Sequence, residues 1–416
     1  MRVVLDQILR RLVRVGRFDV VWPDGGLSHY GTGEGPQAAL RISDNATVRR
    51  LALDPGLALG EAYMTGRIQP VAGTMYDVLH VLMLNFGAIE SSAVVRVRSA
   101  IRRALRPLTQ ANSARKARRN VAHHYDLNGR LYSLFLDQDR QYSCGYFARD
   151  EAAIDEAQIA KKHHIAAKLL FDRPDLTVLD IGCGWGGMAL TLARDYGARV
   201  TGITLSVEQL HEARHRAARE GLADRVRFEL MDYRALNQPF DRIVSVGMFE
   251  HVGVPNYSSY FATVKRCLRH DGVALLHAIG RFGGPGGTNP WIAKYIFPGG
   301  YVPSLSEVFA PLERSSLRCT DVEILRLHYA KTLAQWRKRF AANRDIIATL
   351  YDEQFCRMFE FYLAGSELAF RIQDLMVFQI QLARHQDAVP LTRDYMIKSE
   401  RERIFDSRVS SDSDKH

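Results

Sequence analysis

Apolar and polar positions change their period along the chain, and those changes mark its elements. From residue 177 onward, short apolar runs alternate with amphipathic stretches. TVLDIGCG (177–184) reads as a buried strand entering a glycine turn, and WGGMALTLARDYG as a helix that stops at Gly197. ARVTGITLS reads as a second strand, and VEQLHEARHRAAREG as a helix with Gly221 just past its end. RVRFELMD, DRIVSVGM and GVALLHAIG supply three more strands, with a helix near 255–270 between the last two. CTDVEILRL and DLMVFQIQLAR read as strands on either side of a helical stretch over 330–371. Strands that alternate with helices predict an α/β fold with a mostly parallel sheet, covered on both faces.

The first 90 residues follow another pattern. A helical start leads into RFDVVWPDGGLSHYG, a hairpin with Asp-Gly-Gly as its turn, and helical spacing resumes after Asp54. The pattern therefore predicts a smaller α+β domain over 1–90, a connector over 91–120, the α/β domain over 121–395 and a polar, disordered tail over 396–416. The chain shows no internal repeats.

Charge changes this picture in one place. The net charge is +10, and between Ser92 and Asn120 nine Arg or Lys residues occur without a single acid. Such a run suits a nucleic acid or an anionic bilayer surface, or it is a solvated linker. Its interleaved Val and Leu residues resemble a basic amphipathic helix, which favours the membrane surface. A recognisable RNA-binding module is missing, so nucleic acid is not expected as a partner.

No apolar run has the length of a membrane span: the stretch 78–89 is too short and carries His80 and Asn85. The charged N-terminus lacks the apolar core of a signal peptide. Five cysteines without a CxxC pair argue against a disulfide framework or a structural zinc site, and for a reducing compartment. A cytoplasmic protein held peripherally at the inner face of the membrane is expected.

Gly182-Cys183-Gly184-Trp185-Gly186-Gly187 follows a strand and opens a helix, which satisfies the dinucleotide pattern GxGxxG. A dinucleotide site also wants an acid at the end of the second strand. Here that strand ends in ITLS, with Thr204 and Ser206. Asp180 stands instead at the end of the first strand. An acid followed by GxGxG, with Gly182, Gly184 and Gly186, is the signature of class I methyltransferases, whose Rossmann-like sheet binds S-adenosylmethionine. A carboxylate at that place favours the cationic groups of the cofactor.

The blocks HHYDLNGRLYSLFLD, QYSCGYF, VLDIGCGWGG, GITLSVEQ, FDRIVSVGMFEHVG, LLHAIG, KYIFPGGYVPS, HYAKTL and FYLAGSELAFR span residues 121–385 in order. Together they resemble the cyclopropane-fatty-acyl-phospholipid synthase family and the related mycolic acid cyclopropane synthases. LALGEAYMTG (57–66) extends the likeness toward the N-terminus and suggests the longer, phospholipid-acting type.

The resemblance implies methyl transfer from S-adenosylmethionine to a cis double bond of an unsaturated phospholipid acyl chain. Proton loss to a bound bicarbonate then closes a cyclopropane ring. A methyl-branched or methylene product from the same cation is the sister outcome. An RNA methyltransferase and a lipid-binding protein without activity are the more distant readings.

The positions that match the family's bicarbonate site are Cys144, Glu250, His277, Ile279 through its backbone, and Tyr329. Those that match its cofactor contacts are Tyr142, Ser143, Gly182, Gly184, Thr204, Gln209 and Tyr233. A cation beside the acyl chain needs a dry, aromatic surround. Tyr125, Tyr142, Tyr146, Phe147, Phe249 and Tyr329 are the candidates for it, with core packing as the plain alternative. Cys144 then reads as part of a pocket floor, not as a nucleophile. His123-His124 and His163-His164 read as surface pairs, and Ser366 stands where many relatives carry a cysteine. A homodimer formed through the N-terminal region is a further expectation.

Overall fold

The computed structural model describes residues 1–86 and 129–402. Two compact units divide them. One takes residues 1–86, 286–298 and 330–375, and the other takes 129–285, 299–329 and 376–402. The basic run over 92–120, Tyr125, the His123-His124 pair, the end of the 78–89 stretch and the tail from 403 lie outside the described residues.

The first unit begins with helix α1 (Arg2–Leu12), which buries Leu5, Leu9 and Leu12 along one stripe. Strands β1 (Arg17–Val21) and β2 (Leu27–Gly31) form the expected antiparallel hairpin. Strand β3 (Gln37–Ile42) lies parallel to β1 on its other side. Helix α2 (Asn45–Leu53) starts where the Asp44 carboxylate accepts the Thr47 N–H, and α3 (Pro55–Met64) carries Pro in its first turn. Strand β4 (Ile68–Ala72) pairs antiparallel with β3, and a Thr74–Asp77 capping box opens α4 (Met75–Leu84).

The second unit starts with α5 (Gly129–Phe135) and α6 (Ile154–Leu169). Its sheet is then built from β5 (Thr177–Ile181), α7 (Gly187–Tyr196), β6 (Arg199–Thr204), α8 (Val207–Arg219) and β7 (Val226–Leu230). Next come β8 (Phe240–Val246), α9 (Tyr257–Cys267), β9 (Leu268–Arg281), α10 (Leu305–Ser315), β10 (Arg318–Ile324) and β11 (Leu375–Ala383). The strand order is β10-β11-β9-β8-β5-β6-β7. Strands β9, β8, β5, β6 and β7 run parallel to one another, whereas β10 and β11 pair antiparallel. The order turns back on itself at β5, so the loops after β5 and β8 open side by side at the carboxyl edge, the usual ligand crevice of such sheets.

The stretch over 330–371 forms three helices, α11 (His328–Ala342), α12 (Arg344–Leu350) and α13 (Glu353–Ile372). Ala364 and Leu368 of α13 join Val78 and Leu79 of α4 in the apolar core of the first unit. Ser366 lies half-buried on the same helix. Trp291 is buried in this unit, with its indole N–H facing Met64 Sδ at 3.3 Å.

Gly60 of α3 packs against that indole, and a Cβ at Gly60 would clash with its Nε1, Cδ1 and Cε2 atoms. Alanine in an open helix interior would instead stabilise by about 1 kcal/mol. The sign of the effect therefore tests the packing. Gly60→Ala is expected to lower the urea midpoint, by about 1–3 kcal/mol of overpacking; a higher midpoint would contradict it.

Candidate active site

The loop after β5 is shaped by left-handed glycines. Gly182 has φ +83°, and a Cβ there would meet Met248 Cβ at 2.9 Å. Gly184, at φ +55°, faces open space, which leaves its backbone accessible to a ligand. Gly186 (φ +86°) caps α7. Just before them Asp180 is 1% exposed, and its Oδ2 has no hydrogen-bond partner among the described residues. Burial pushes this carboxyl up to about 7, against the pull of Lys161. A buried carboxylate with one oxygen left without a partner among the described residues, beside an open glycine cradle, fits a cationic cofactor.

Lys161 is the residue that sequence reasoning missed. It sits on α6, 1% exposed, and donates to Gln141 Oε1 at 2.5 Å and Ser143 Oγ at 2.9 Å. One turn earlier, Gln158 donates to the Ser143 carbonyl at 2.9 Å. Together they hold the 141–144 stretch from beneath. Burial lowers Lys161 to about 8, while Asp137 and Asp139 oppose that shift. Its charge acts on Asp180, Cys144 and His277, so one ammonium joins three candidates from distant parts of the sequence. The signal was present as polar residues on the apolar face. Ile154, Ala157, Gln158, Lys161, His164, Ile165 and Lys168 recur at helical spacing, and all are buried.

The other strand ends carry the remaining cofactor candidates. Thr204, closing β6, donates to Gln209 Oε1 at 2.9 Å and accepts the Ser206 N–H at 3.1 Å. Both side chains are buried. After β7, Asp232 caps a short turn that begins with Tyr233. Burial raises that phenol to about 12, and its ring meets Tyr260 edge-on at 5.5 Å. Tyr142 packs edge-on to Tyr132 and Phe135, and Tyr132 in turn touches Trp185 of the glycine loop. Tyr132 and Phe135 had not been singled out from the sequence.

Glu250 follows β8 and is buried. Its Oε1 accepts the Ile279 N–H at 2.6 Å, and its Oε2 has no partner among the described residues. The Ile279 N–H is thus already engaged within the protein. Burial raises Glu250 to about 7, partly offset by that hydrogen bond. A carboxyl held near neutrality can offer an O–H to an oxyanion, so these residues fit a bicarbonate. His277, on β9, is 2% exposed, and burial holds it well below the ordinary histidine range. Cys144 is buried, with Sγ 3.3 Å from the Gly145 carbonyl oxygen.

The aromatic candidates divide. Tyr146 is stacked between His164 (3.9 Å) and His328 (5.0 Å), and the Phe147 N–H donates to His328 Nδ1 at 2.9 Å. Phe249 is fully buried in the apolar core against Tyr257, Tyr260 and Phe261. Tyr329 is buried at the start of α11. His164 is not on the surface as expected. It is buried and bonds to Glu323 at 2.7 Å and Glu400 at 3.3 Å.

The family model described as mycolic acid cyclopropane synthetase matches residues 112–380, and a domain of unknown function matches 4–91. The chain is 39% identical over 347 residues to cyclopropane-fatty-acyl-phospholipid synthase of Escherichia coli, covering 83% of this chain and 88% of that protein. The chain belongs to this family. It is 35% identical over 397 residues to tuberculostearic acid methyltransferase UfaA1 of Mycobacterium tuberculosis, covering 92% and 91%. Among solved structures, mycolic acid cyclopropane synthase CmaA1 complexed with SAH and CTAB is 35% identical with a TM-score of 0.60, covering 64% of this chain and 97% of that one. The protein is thus an enzyme with the class I methyltransferase fold, of the group that carries a one-carbon unit from S-adenosylmethionine to lipid acyl chains.

The raised value of Glu250 makes a prediction for stability. Between about pH 4.5 and 7 the folded state binds this proton and the unfolded state does not, so the group subtracts stability as pH rises. The full cost, roughly 3 kcal/mol at most, is present above that window. Without ligands, Glu250→Gln is expected to gain thermal midpoint over the parent as pH rises from about 5 to about 8. A difference that does not change with pH would contradict the buried, near-neutral carboxyl.

Proposed function

We propose that the enzyme acts on the cis double bond of an unsaturated phospholipid acyl chain and forms a cyclopropane. The observation that carries this reading is Glu250, a buried carboxyl with one oxygen bonded to Ile279, near the end of the strand that bears His277, and the other without a partner among the described residues. S-adenosylmethionine, when bound, supplies an electrophilic methyl group, and bicarbonate, when bound, supplies the base.

Asp180, Ser143, Gly182, Gly184, Thr204, Gln209, Tyr142 and Tyr233 are the residues to hold the cofactor. Glu250, His277, Tyr329, Cys144 and the Ile279 backbone are those to hold the base. Alkenes are weak nucleophiles, so holding both partners in line carries much of the rate. The aromatic wall of Tyr142, Tyr132 and Trp185 excludes water from a cation on the acyl chain. Cys144 serves there as a wall, because no covalent step requires its thiol.

The enzyme is read as a peripheral protein of the cytoplasmic membrane face. No helix among the described residues is long and apolar enough to cross a membrane. The basic run over 92–120 supplies the charge for docking on an anionic bilayer, and a homodimer would double that surface. The likeness to a fatty-acyl methyltransferase over 92% of the chain favours a methyl-branched or methylene product as the second reading.

The experiment is purified protein with S-adenosylmethionine, bicarbonate and liposomes of monounsaturated, anionic phospholipid. Products are read by mass spectrometry before and after ozonolysis. A gain of CH2 in a chain that resists ozone is expected. A cleavable product of the same mass would indicate a methylene or methyl-branched alkene, and a saturated methyl branch, heavier by two more hydrogens, would form only with an added hydride donor such as a reduced nicotinamide. Glu250→Ala is expected to lower turnover by roughly 10²–10⁴-fold, whereas Cys144→Ser keeps measurable turnover. Complete loss in a folded Cys144→Ser protein would contradict the wall assignment.

A further inference from the structure

Strand β11 reads LMVFQIQLA, and two glutamines interrupt an otherwise apolar strand that is buried from Met376 onward. Gln379 is 1% exposed. Its Nε2 lies 3.1 Å from His277 Nδ1, and its Oε1 accepts from Lys168 Nζ at 2.6 Å. Lys168 is as buried as its partners and also pairs with the Glu323 carboxylate. Glu323 accepts in turn from His164, which reaches Glu400 on its other side. A line of polar side chains therefore runs from the catalytic strand β9 through β11, α6 and β10.

The chemistry of this line has one consistent arrangement. An ammonium has three N–H groups and no acceptor, so it must face the oxygen of the Gln379 amide and not its NH2. That fixes the amide: Oε1 toward Lys168 and Nε2 toward His277. The NH2 group can only donate, so His277 Nδ1 must accept and carry no proton. In the neutral ring the proton then sits on Nε2. A doubly protonated ring is disfavoured first by burial and then by the nearby cations Lys161, Lys168 and His164, against a smaller pull from the Glu323 carboxylate.

We propose that Gln379, oriented by Lys168, is a positioning residue that holds His277 in the Nε2–H form, so that His277 donates a hydrogen bond in the active site and does not act as the proton acceptor. The catalytic half of this statement rests on the role given to His277 above; the tautomer itself does not. Lys168 matters through the same path, because without its ammonium the Gln379 amide is free to turn over and present oxygen to Nδ1. Glu323 and His164 hold that ammonium in place.

The test uses the full-length protein labelled with 15N-histidine, with the His277 signals assigned by their loss in His277→Ala. In the parent, the protonated ring nitrogen is expected to be Nε2 and Nδ1 to be bare. Gln379→Glu presents a carboxylate to Nδ1 and is expected to move the proton to Nδ1, or to protonate both nitrogens. Its turnover is expected to fall roughly 10–100-fold, the size usual for loss of a supporting partner, with S-adenosylmethionine affinity near that of the parent. Lys168→Met is expected to mix the two tautomers and to give a smaller loss. Gln379→Leu, which keeps the volume and removes the donor, gives the same readout if glutamate prevents folding. An Nε2–H signal unchanged in Gln379→Glu, Gln379→Leu and Lys168→Met would overturn the proposal. Full turnover in His277→Ala would overturn the role of His277 instead, and the tautomer measurement would still decide the positioning claim.

Discussion

A lysine buried beneath the active site is the constraint on which the second unit depends. Removing an ammonium from water is costly unless it is paired and hydrogen-bonded. Lys161 meets that cost with Gln141, Ser143 and the nearby Asp137 and Asp139. Those partners all lie between residues 137 and 143, a segment without regular structure. The need to satisfy one charge therefore fixes a loop that helix or sheet hydrogen bonds do not. Asp139 is anchored further by Lys162 and Arg216, and Asp137 accepts the Gln141 N–H at 2.8 Å. The loop then presents Tyr142, Ser143 and Cys144 at the carboxyl edge of the sheet.

The same edge carries groups held away from their preferred charge state. Asp180 and Glu250 are buried carboxyls near neutrality, each with an oxygen left without a partner among the described residues. His277 is a neutral imidazole in a cationic neighbourhood. Such groups weaken the empty fold, and their presence together marks a place that a ligand completes. A cation beside Asp180 and an oxyanion beside Glu250 are the ligands that would relieve each.

The legibility of the sequence divides along physical lines. The strand–helix alternation, the glycine loop and Asp180 were readable because each is a local pattern: a period, a turn that needs positive φ, an acid at a strand end. Glu250 and His277 were placed by resemblance, since a buried histidine in an apolar strand is most simply a core residue. Lys161, Gln158, Lys168 and Gln379 were not singled out, because their partners lie on other elements and charged side chains are read as solvent-facing by default. His164 reads as a surface residue for that same reason. Phe249 reads as pocket lining or core, and its ring sits in the core against α9. The return of residues 286–298 and 330–375 to the first unit leaves no local mark, since helix periodicity does not say which core a helix joins.

Lys161 sets both the loop and the charge of Asp180 for a cationic cofactor. The most direct measurement is calorimetric titration of S-adenosylmethionine across a pH series. In the parent, affinity is expected to rise with pH through about 7, as Asp180 ionises, and Asp180→Asn should flatten that rise. In Lys161→Met the pull that lowers Asp180 is lost, so the rise should weaken and move to higher pH. Curves that superimpose for the parent and Lys161→Met would contradict the account.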